Sequence, residues 1–178
     1  MKNILIISSS PRKGGNSDTL CHEFERGAKA AGQHVDYVNL ADKDLNYCLA
    51  CYACRNNQRC FQNDGFNEIL ELALKADVIL FATPVYFYSM SGQLKVFFDR
   101  LVADYTAIRA DIYIFITAWD PNKDHLLSTL EAIRGQTRDC FEQCPEKGVL
   151  LASDVTEFGE IKKHPECLKQ AYEFGHNC

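Results

Sequence analysis

DVILFATPVYFYSMSG, residues 77–92, opens with five consecutive apolar side chains set between an aspartate and a threonine–proline stop. A strand with no polar face is covered on both sides, as strands of parallel sheets are. Asp77–Thr83 therefore reads as a buried strand, and Pro84 ends it. Upstream, Asn3–Ile7 carries the same unbroken apolar run, and Val35–Leu40 is a second strand candidate. Between these two, Leu20, Phe24, Ala28 and Ala31 recur at helical spacing, with Gly32 placed to end the helix. Phe66–Ala76 predicts a further helix with Ile69, Leu70 and Ala73 inward. Downstream come a helix over Gln93–Val102, a strand at Ile112–Thr117, a long helix around Asp124–Cys144, a strand at Gly148–Ala152 and a last helix at Pro165–Phe174. Strand–helix alternation of this kind builds a parallel sheet with helices on both faces. With 178 residues and no linker or repeat, residues 1–178 are expected to form one domain.

Composition narrows the function. Apolar residues at 47% and charged residues at 24% are ordinary globular values, which argues against disorder. A formal charge of −5 disfavours a general binder of nucleic acid backbones. The longest apolar runs, Val78–Ala82 and Ile112–Ile116, fall far short of the roughly 20 residues that span a bilayer, so no membrane partner is expected. The apolar stretch after Lys2 stops at Ile7 and gives way to Ser8-Ser9-Ser10-Pro11-Arg12-Lys13, unlike a signal peptide; the expectation is a cytoplasmic protein. Nine cysteines, an odd number, are then expected to be free rather than a disulfide framework.

In open parallel sheets, ligands bind beyond the carboxyl ends of the strands. The loops that matter are thus Ser8–Asn16, Ala41–Gly65, Pro84–Gly92 and Ala118–Lys123. The first, SSSPRKGGNS at residues 8–17, combines hydroxyl donors, two glycines, Arg12, and Asn16 or Ser17 as the expected helix N-cap. Phosphate at such a helix start gains from oriented N–H groups and from the helix dipole, and Arg12 adds a charge-assisted contact. The loop lacks both the Gly-Lys-Ser/Thr ending of the nucleotide P-loop and the Gly-x-Gly-x-x-Gly of dinucleotide folds. The third loop places Tyr86, Phe87 and Tyr88 after a strand has ended, where core packing does not account for them. Such a loop suits a planar ring system or a subunit contact. Trp119 lies on the same edge. The five histidines, His22, His34, His125, His164 and His176, fall in unrelated contexts.

SSSPRKGGNSDTL at 8–20, TPVYFYSMSGQLKVFFDR at 83–100 and the cysteine-rich segment between them resemble the flavodoxin-like NAD(P)H-dependent FMN reductases, and among them the branch containing the iron–sulfur flavoproteins. The resemblance continues through GVLLASDVTEFGEIKKHPECLKQAYEFG at 148–175. It implies a doubly wound five-stranded parallel sheet in the order 2-1-3-4-5 that binds FMN. It sets the FMN phosphate against Ser10, Arg12, Asn16 and Ser17, with Ser8 opening the same loop. The ring goes against Pro84, Val85, Tyr86, Phe87 and Ser89, with Thr117 and Ala118 at its other edge. NADH or NADPH then gives hydride to flavin N5, and electrons pass to a quinone, a flavin or another carrier. The hydride chemistry is the cofactor's, so no catalytic side chain is expected. A homodimer or higher homo-oligomer also follows from the resemblance.

Cys48-x2-Cys51-x2-Cys54-x5-Cys60 is the remaining feature. Four thiolates so close suit a 4Fe–4S cluster. They suit a structural zinc less, since zinc sites bring two pairs together across a longer separation. Reactive thiols or a partner contact are the other readings. The spacing is similar to that of the iron–sulfur flavoproteins, which implies Cys48, Cys51, Cys54 and Cys60 as ligands. A cluster makes the protein a two-to-one electron transformer. A non-catalytic carrier exchanging electrons with ferredoxin-like partners is the alternative to a reductase, and a plain binding module is the third. Cys140 and Cys144, at i and i+4, are expected to share a helical face beside Phe141.

Overall fold

The computed structural model describes residues 1–178. Strands β1 (Asn3–Ser8), β2 (His34–Asn39), β3 (Val78–Pro84), β4 (Asp111–Thr117) and β5 (Glu146–Ala152) form one parallel sheet in the order β2-β1-β3-β4-β5. β1 is central, with Ile4 paired to Val35 on one side and Val78 on the other. Alternate side chains go to opposite faces. Leu5 and Ile7 join a core with Ile79, Phe81, Ile112 and Ile114, while Ile4 and Ile6 join another with Val78, Leu80 and Phe115. Both sets are buried, which is why these strands read as continuous apolar runs.

Helix α1 (Asn16–Ala30) and α5 (Pro165–Asn177) cover the second core. α2 (Phe66–Lys75), α3 (Gly92–Arg100) and α4 (Leu127–Thr137) cover the first. The two helices on the smaller face cross at backbone distance. A Cβ on Gly27 would fall 2.1 Å from the Tyr172 carbonyl oxygen, and one on Gly175 1.9 Å from that of Phe24. No helix is long and apolar enough to cross a membrane.

The sheet order agrees with the expected 2-1-3-4-5; local boundaries differ. Pro84 is the last residue of β3, opposite Thr117, where its missing N–H costs no ladder bond because Val85 N–H donates to the Thr117 carbonyl at 2.8 Å. The helix expected over Asp124–Cys144 is interrupted at both ends. A 3-10 turn occupies Lys123–Leu126, and α4 stops at Thr137 before turns that lead into β5. Cys140 and Cys144 thus share no helical face: Cys140 is exposed, and the Cys144 thiol accepts from the Ala110 amide at 3.4 Å. The N-cap of α1 is Gly15, with Asn16 and Ser17 already helical.

Candidate functional site

The order β2-β1-β3 makes the chain leave β1 and β3 in opposite directions, and a crevice opens at their carboxyl ends. Buried hydroxyls set its width. Ser9 N–H and Oγ both donate to the Ala82 carbonyl at 2.9 Å, Ser91 Oγ donates to Ser9 Oγ at 2.9 Å, and Ser91 N–H donates to Thr83 Oγ1 at 3.0 Å. The loops after β1 and β3 are thereby locked to each other. On the other side, Ser17 Oγ and Thr117 Oγ1 lie 2.7 Å apart, joining the start of α1 to the end of β4.

The crevice, about 160 Å³, is lined by Ser10, Arg12, Asn16 and Ser17 on one side and by Pro84, Val85, Tyr86, Thr117 and Ala118 on the other. Nine of the residues picked out for a phosphate and a ring therefore meet in one place. Gly15 carries no capping side chain, and the first amides of a helix have no intrahelical acceptor. The α1 terminus consequently presents free donors beside the Arg12 guanidinium. Asp18, one turn in, does not oppose an anion there with free oxygens: it accepts from the Gly14 amide at 2.7 Å and from the Tyr37 hydroxyl. The neighbouring Cys21 thiol is pushed up by burial and then by Asp18, so it stays protonated.

A second hollow, about 280 Å³, shares Val85, Ala118 and Trp119 with the crevice and adds Phe87, Tyr88 and His125. The crevice alone is smaller than a small-molecule site of about 300–1,000 Å³, whereas the two together fall within that range. The shelf between them is held open by a tight turn in which Tyr86 and Ser89 exchange main-chain hydrogen bonds at 2.9 and 3.1 Å. Phe87 and Tyr88 adopt left-handed backbone angles in it, φ +50° and +59°. Such angles are costly for aromatic residues and recur where a binding loop is over-determined by its surroundings. Phe87 is fully exposed and Trp119 is 68% exposed, so neither is packed in the core. At the far rim His125 Nδ1 lies 2.6 Å from Asp120 Oδ2, and this bond and the Asn122 amide hold the Asp120 carboxyl below its ordinary pKa.

Two of the expected residues lie elsewhere. Ser8 is completely buried at the end of β1, and its Oγ has no partner. Ser89 closes the turn and does not line the crevice. Conversely, the loop after β5, which carries no phosphate or ring motif in the sequence, brings Val155, Thr156 and Phe158 to line the crevice. Arg12 Nη1 donates to the Thr156 carbonyl at 3.2 Å. Asn16 donates to the Glu157 carbonyl at 3.1 Å and accepts from the Ile161 amide at 3.0 Å. Glu160, accepting from the Glu157 and Thr156 amides and paired with Lys163, is held down to about 2. The rule that ligands sit beyond strand ends applies to β5 as much as to β1 and would have found this strap.

The four clustered cysteines all border a separate hollow of about 390 Å³, together with Leu49, Tyr52, Phe61, Arg100 and Val102. No three metal-binding side chains gather around one point as the ligands of a single ion do. Arg100, whose side chain is 1% exposed, lines the same hollow as the four cysteines. Arg100 Nη1 donates to Asp64 Oδ2 and, at 3.3 Å, to the Asn46 carbonyl. Asp64 Oδ2 also accepts from the Asn46 amide at 2.9 Å. Burial pushes Asp64 up, but these hydrogen bonds prevail and hold it at about 2. Residues 46 and 64 are the two ends of the cysteine segment, so one ion pair fastens its neck. Neither Asp64 nor Arg100 is conspicuous in the sequence, because nothing local signals a pair 36 residues apart.

A five-stranded 2-1-3-4-5 sheet with an anion-ready helix start and an aromatic shelf at its switch point defines a flavodoxin-like fold. The chain belongs to the NADPH-dependent FMN reductase family, whose pattern matches residues 2–135. It is 38% identical over 97 residues to an iron–sulfur flavoprotein of Methanocaldococcus jannaschii, covering 54% of this chain and 50% of that one. It is 40% identical over 96 residues to an iron–sulfur flavoprotein of Methanosarcina thermophila, again covering 54% and 50%. The chain thus spans about half the length of the curated relatives it matches. Among solved structures, an NAD(P)H:quinone oxidoreductase from Methanothermobacter marburgensis superposes with a TM-score of 0.74 at 17% identity, covering 99% of this chain and 96% of that one. At that identity the likeness is one of fold.

Proposed function

We propose that residues 1–178 act as one FMN-binding unit, an oxidoreductase that takes reducing equivalents from NADH or NADPH and delivers them to a small acceptor or electron carrier. The observation that carries this reading is the uncapped start of α1 beside Arg12, facing an exposed aromatic shelf across one crevice. FMN supplies hydride transfer and, through its ring, the electrons passed onward. The chain's own part is placement. The Asn16, Ser17 and Asp18 amides and Arg12 hold the phosphate; Ser10 and Ser17 add hydroxyls. Pro84, Val85 and Tyr86 bear one edge of the ring, and Thr117 and Ala118 bear the other. Phe87, Tyr88 and Trp119 shield the open face from water while leaving room for a nicotinamide. Ser8 and Ser89 serve indirectly, by ending β1 and by closing the turn.

The four cysteines are proposed as ligands of a 4Fe–4S cluster. All four line one hollow of about 390 Å³, and four closely spaced thiols suit a cubane cluster. The printed names of the similar iron–sulfur flavoproteins support the same reading. When bound, the cluster supplies one-electron transfer. The acceptor is a quinone, a flavin or a protein carrier in the cytoplasm, and the exposed aromatics suit a homodimer.

The test is an anaerobic absorption spectrum of purified protein before and after NADPH or NADH. Flavin bands that bleach on addition, with iron and acid-labile sulfide present, are expected. Protein that refuses added FMN would refute the reading. Flavin bleached promptly by reduced ferredoxin but not by either nicotinamide would replace the reductase with an electron carrier.

A further inference from the structure

Arg100 is the largest fully buried side chain of the molecule, and the ion pair with Asp64 uses only one of its three nitrogens. Nε and Nη2 are buried with no hydrogen-bond partner. Unsatisfied buried donors on a charged group cost several kcal/mol and are rare without a purpose. Nothing on its apolar side needs them: Phe66 lies under the guanidinium with its centroid 4.4 Å away, a contact made through the ring face. Arg100 borders the cysteine hollow, among Cys48, Cys51, Cys54 and Cys60. An arginine keeps its proton at any working pH, and the Asp64 carboxylate fixes the guanidinium in place. The guanidinium is therefore a fixed cation with two spare donors at the wall of a thiol-lined space.

Building on the cluster reading above, we infer that Arg100 is a positioning residue of the cysteine site: its two spare nitrogens, Nε and Nη2, donate hydrogen bonds to cluster or cysteinyl sulfur, and its charge stabilises the reduced cluster. Four thiolates around a cubane carry net negative charge, and reduction adds one more. Hydrogen bonds to sulfur and a buried cation both favour the added electron, so Arg100 raises the reduction potential. Asp64 offsets part of that charge. The pair thus sets the potential through two opposed residues, one facing the sulfurs and one facing away.

The experiment is a redox titration of the cluster, followed by electron paramagnetic resonance, with iron and sulfide measured on every sample. Arg100→Gln removes the charge and two of the three donor nitrogens while remaining polar; its cluster is expected at full iron content with a potential lower by about 59 mV or more, the equivalent of a tenfold shift in a one-electron equilibrium. Asp64→Asn keeps the side-chain shape and removes the opposing charge, so its potential is expected to rise. Opposite shifts support the inference. An unchanged potential in Arg100→Gln, or shifts of the same sign in both variants, overturns it, because a merely structural neck would move both alike. If Arg100→Gln does not fold, Arg100→Lys decides, since it keeps the charge and loses the planar donors: a potential below wild type supports the inference and an equal one overturns it. Wild-type protein devoid of iron and sulfide after anaerobic reconstitution refutes the cluster reading itself, a failure the metal analysis separates from the other.

Discussion

Around the crevice, loops from four parallel strands bond to one another by main-chain amides and by the buried Ser9, Thr83 and Ser91 hydroxyls. Around the cysteine hollow, residues 47–63 contain one 3-10 turn, and the segment is fastened at its neck by Asn46, Asp64 and Arg100. The first region is shaped by the sheet: given this strand order, the crevice must open where it does. The second is an excursion that the sheet does not require, held by one buried ion pair and by Asn67, which brackets the Cys60 main chain at 2.8 and 2.9 Å. A site dictated by topology tolerates the loss of any one contact. A segment held by one ion pair and one asparagine loses more stability when a single contact goes.

That contrast orders the expected effects. Asp64→Ala strips a buried guanidinium of its partner and is expected to cost about 3–5 kcal/mol in denaturant unfolding. The same pair gives a pH signature. The Asp64 carboxyl is held at about 2, below its ordinary value of 3.8. Its contribution, about 2 kcal/mol, is complete above the ordinary value and disappears as pH falls from near 4 through 2. Wild-type protein should lose that increment over this range and Asp64→Ala should not; parallel curves would show that the neck is not fastened by this pair.

Arg12→Ala is expected to weaken FMN binding by about 1.5–3 kcal/mol, roughly 10- to 150-fold in Kd, while iron content stays at the wild-type level. A variant that loses both cofactors would erase the proposed independence of the two regions. Asn16→Ala removes both hydrogen bonds that tie the strap after β5 to α1, at a cost of about 1–2 kcal/mol. Faster amide exchange confined to Thr156–Ile161 is expected; exchange spread over the sheet would mean that the strap is part of the crevice's frame. Smallest is Phe87→Ala. Its side chain is fully exposed, so stability should hold within about 0.5 kcal/mol, with a rise of about 2- to 10-fold in the Kd for FMN. A large loss of stability would contradict its assignment to the shelf.

The two regions also differ in how far the amino-acid order alone reveals them. Unbroken apolar runs such as VILFA at 78–82 announce strands buried on both faces, and their order places the loops that line the crevice. Nine of twelve expected cofactor residues accordingly line it. Phe87 sits on the adjoining shelf; Ser8 is absent from both because alternation at the end of β1 turns it inward, and Ser89 because it closes the turn with Tyr86. The helix expected over Asp124–Cys144 is shorter because periodicity blurs a 3-10 turn and a capping turn into the helix between them. The cysteine spacing identifies the hollow's thiols, but its cation and its neck come from Arg100 and Asp64, which meet only through tertiary packing.

If the start of α1 and Arg12 grip a phosphate, apoprotein titrated with FMN and with riboflavin, which differ by that group alone, will distinguish the two sharply. Quenching of flavin fluorescence should give FMN a dissociation constant about 100-fold or more below that of riboflavin, since several charge-assisted hydrogen bonds depend on the phosphate. Equal affinities for the two would mean that the α1 start and Arg12 hold no phosphate.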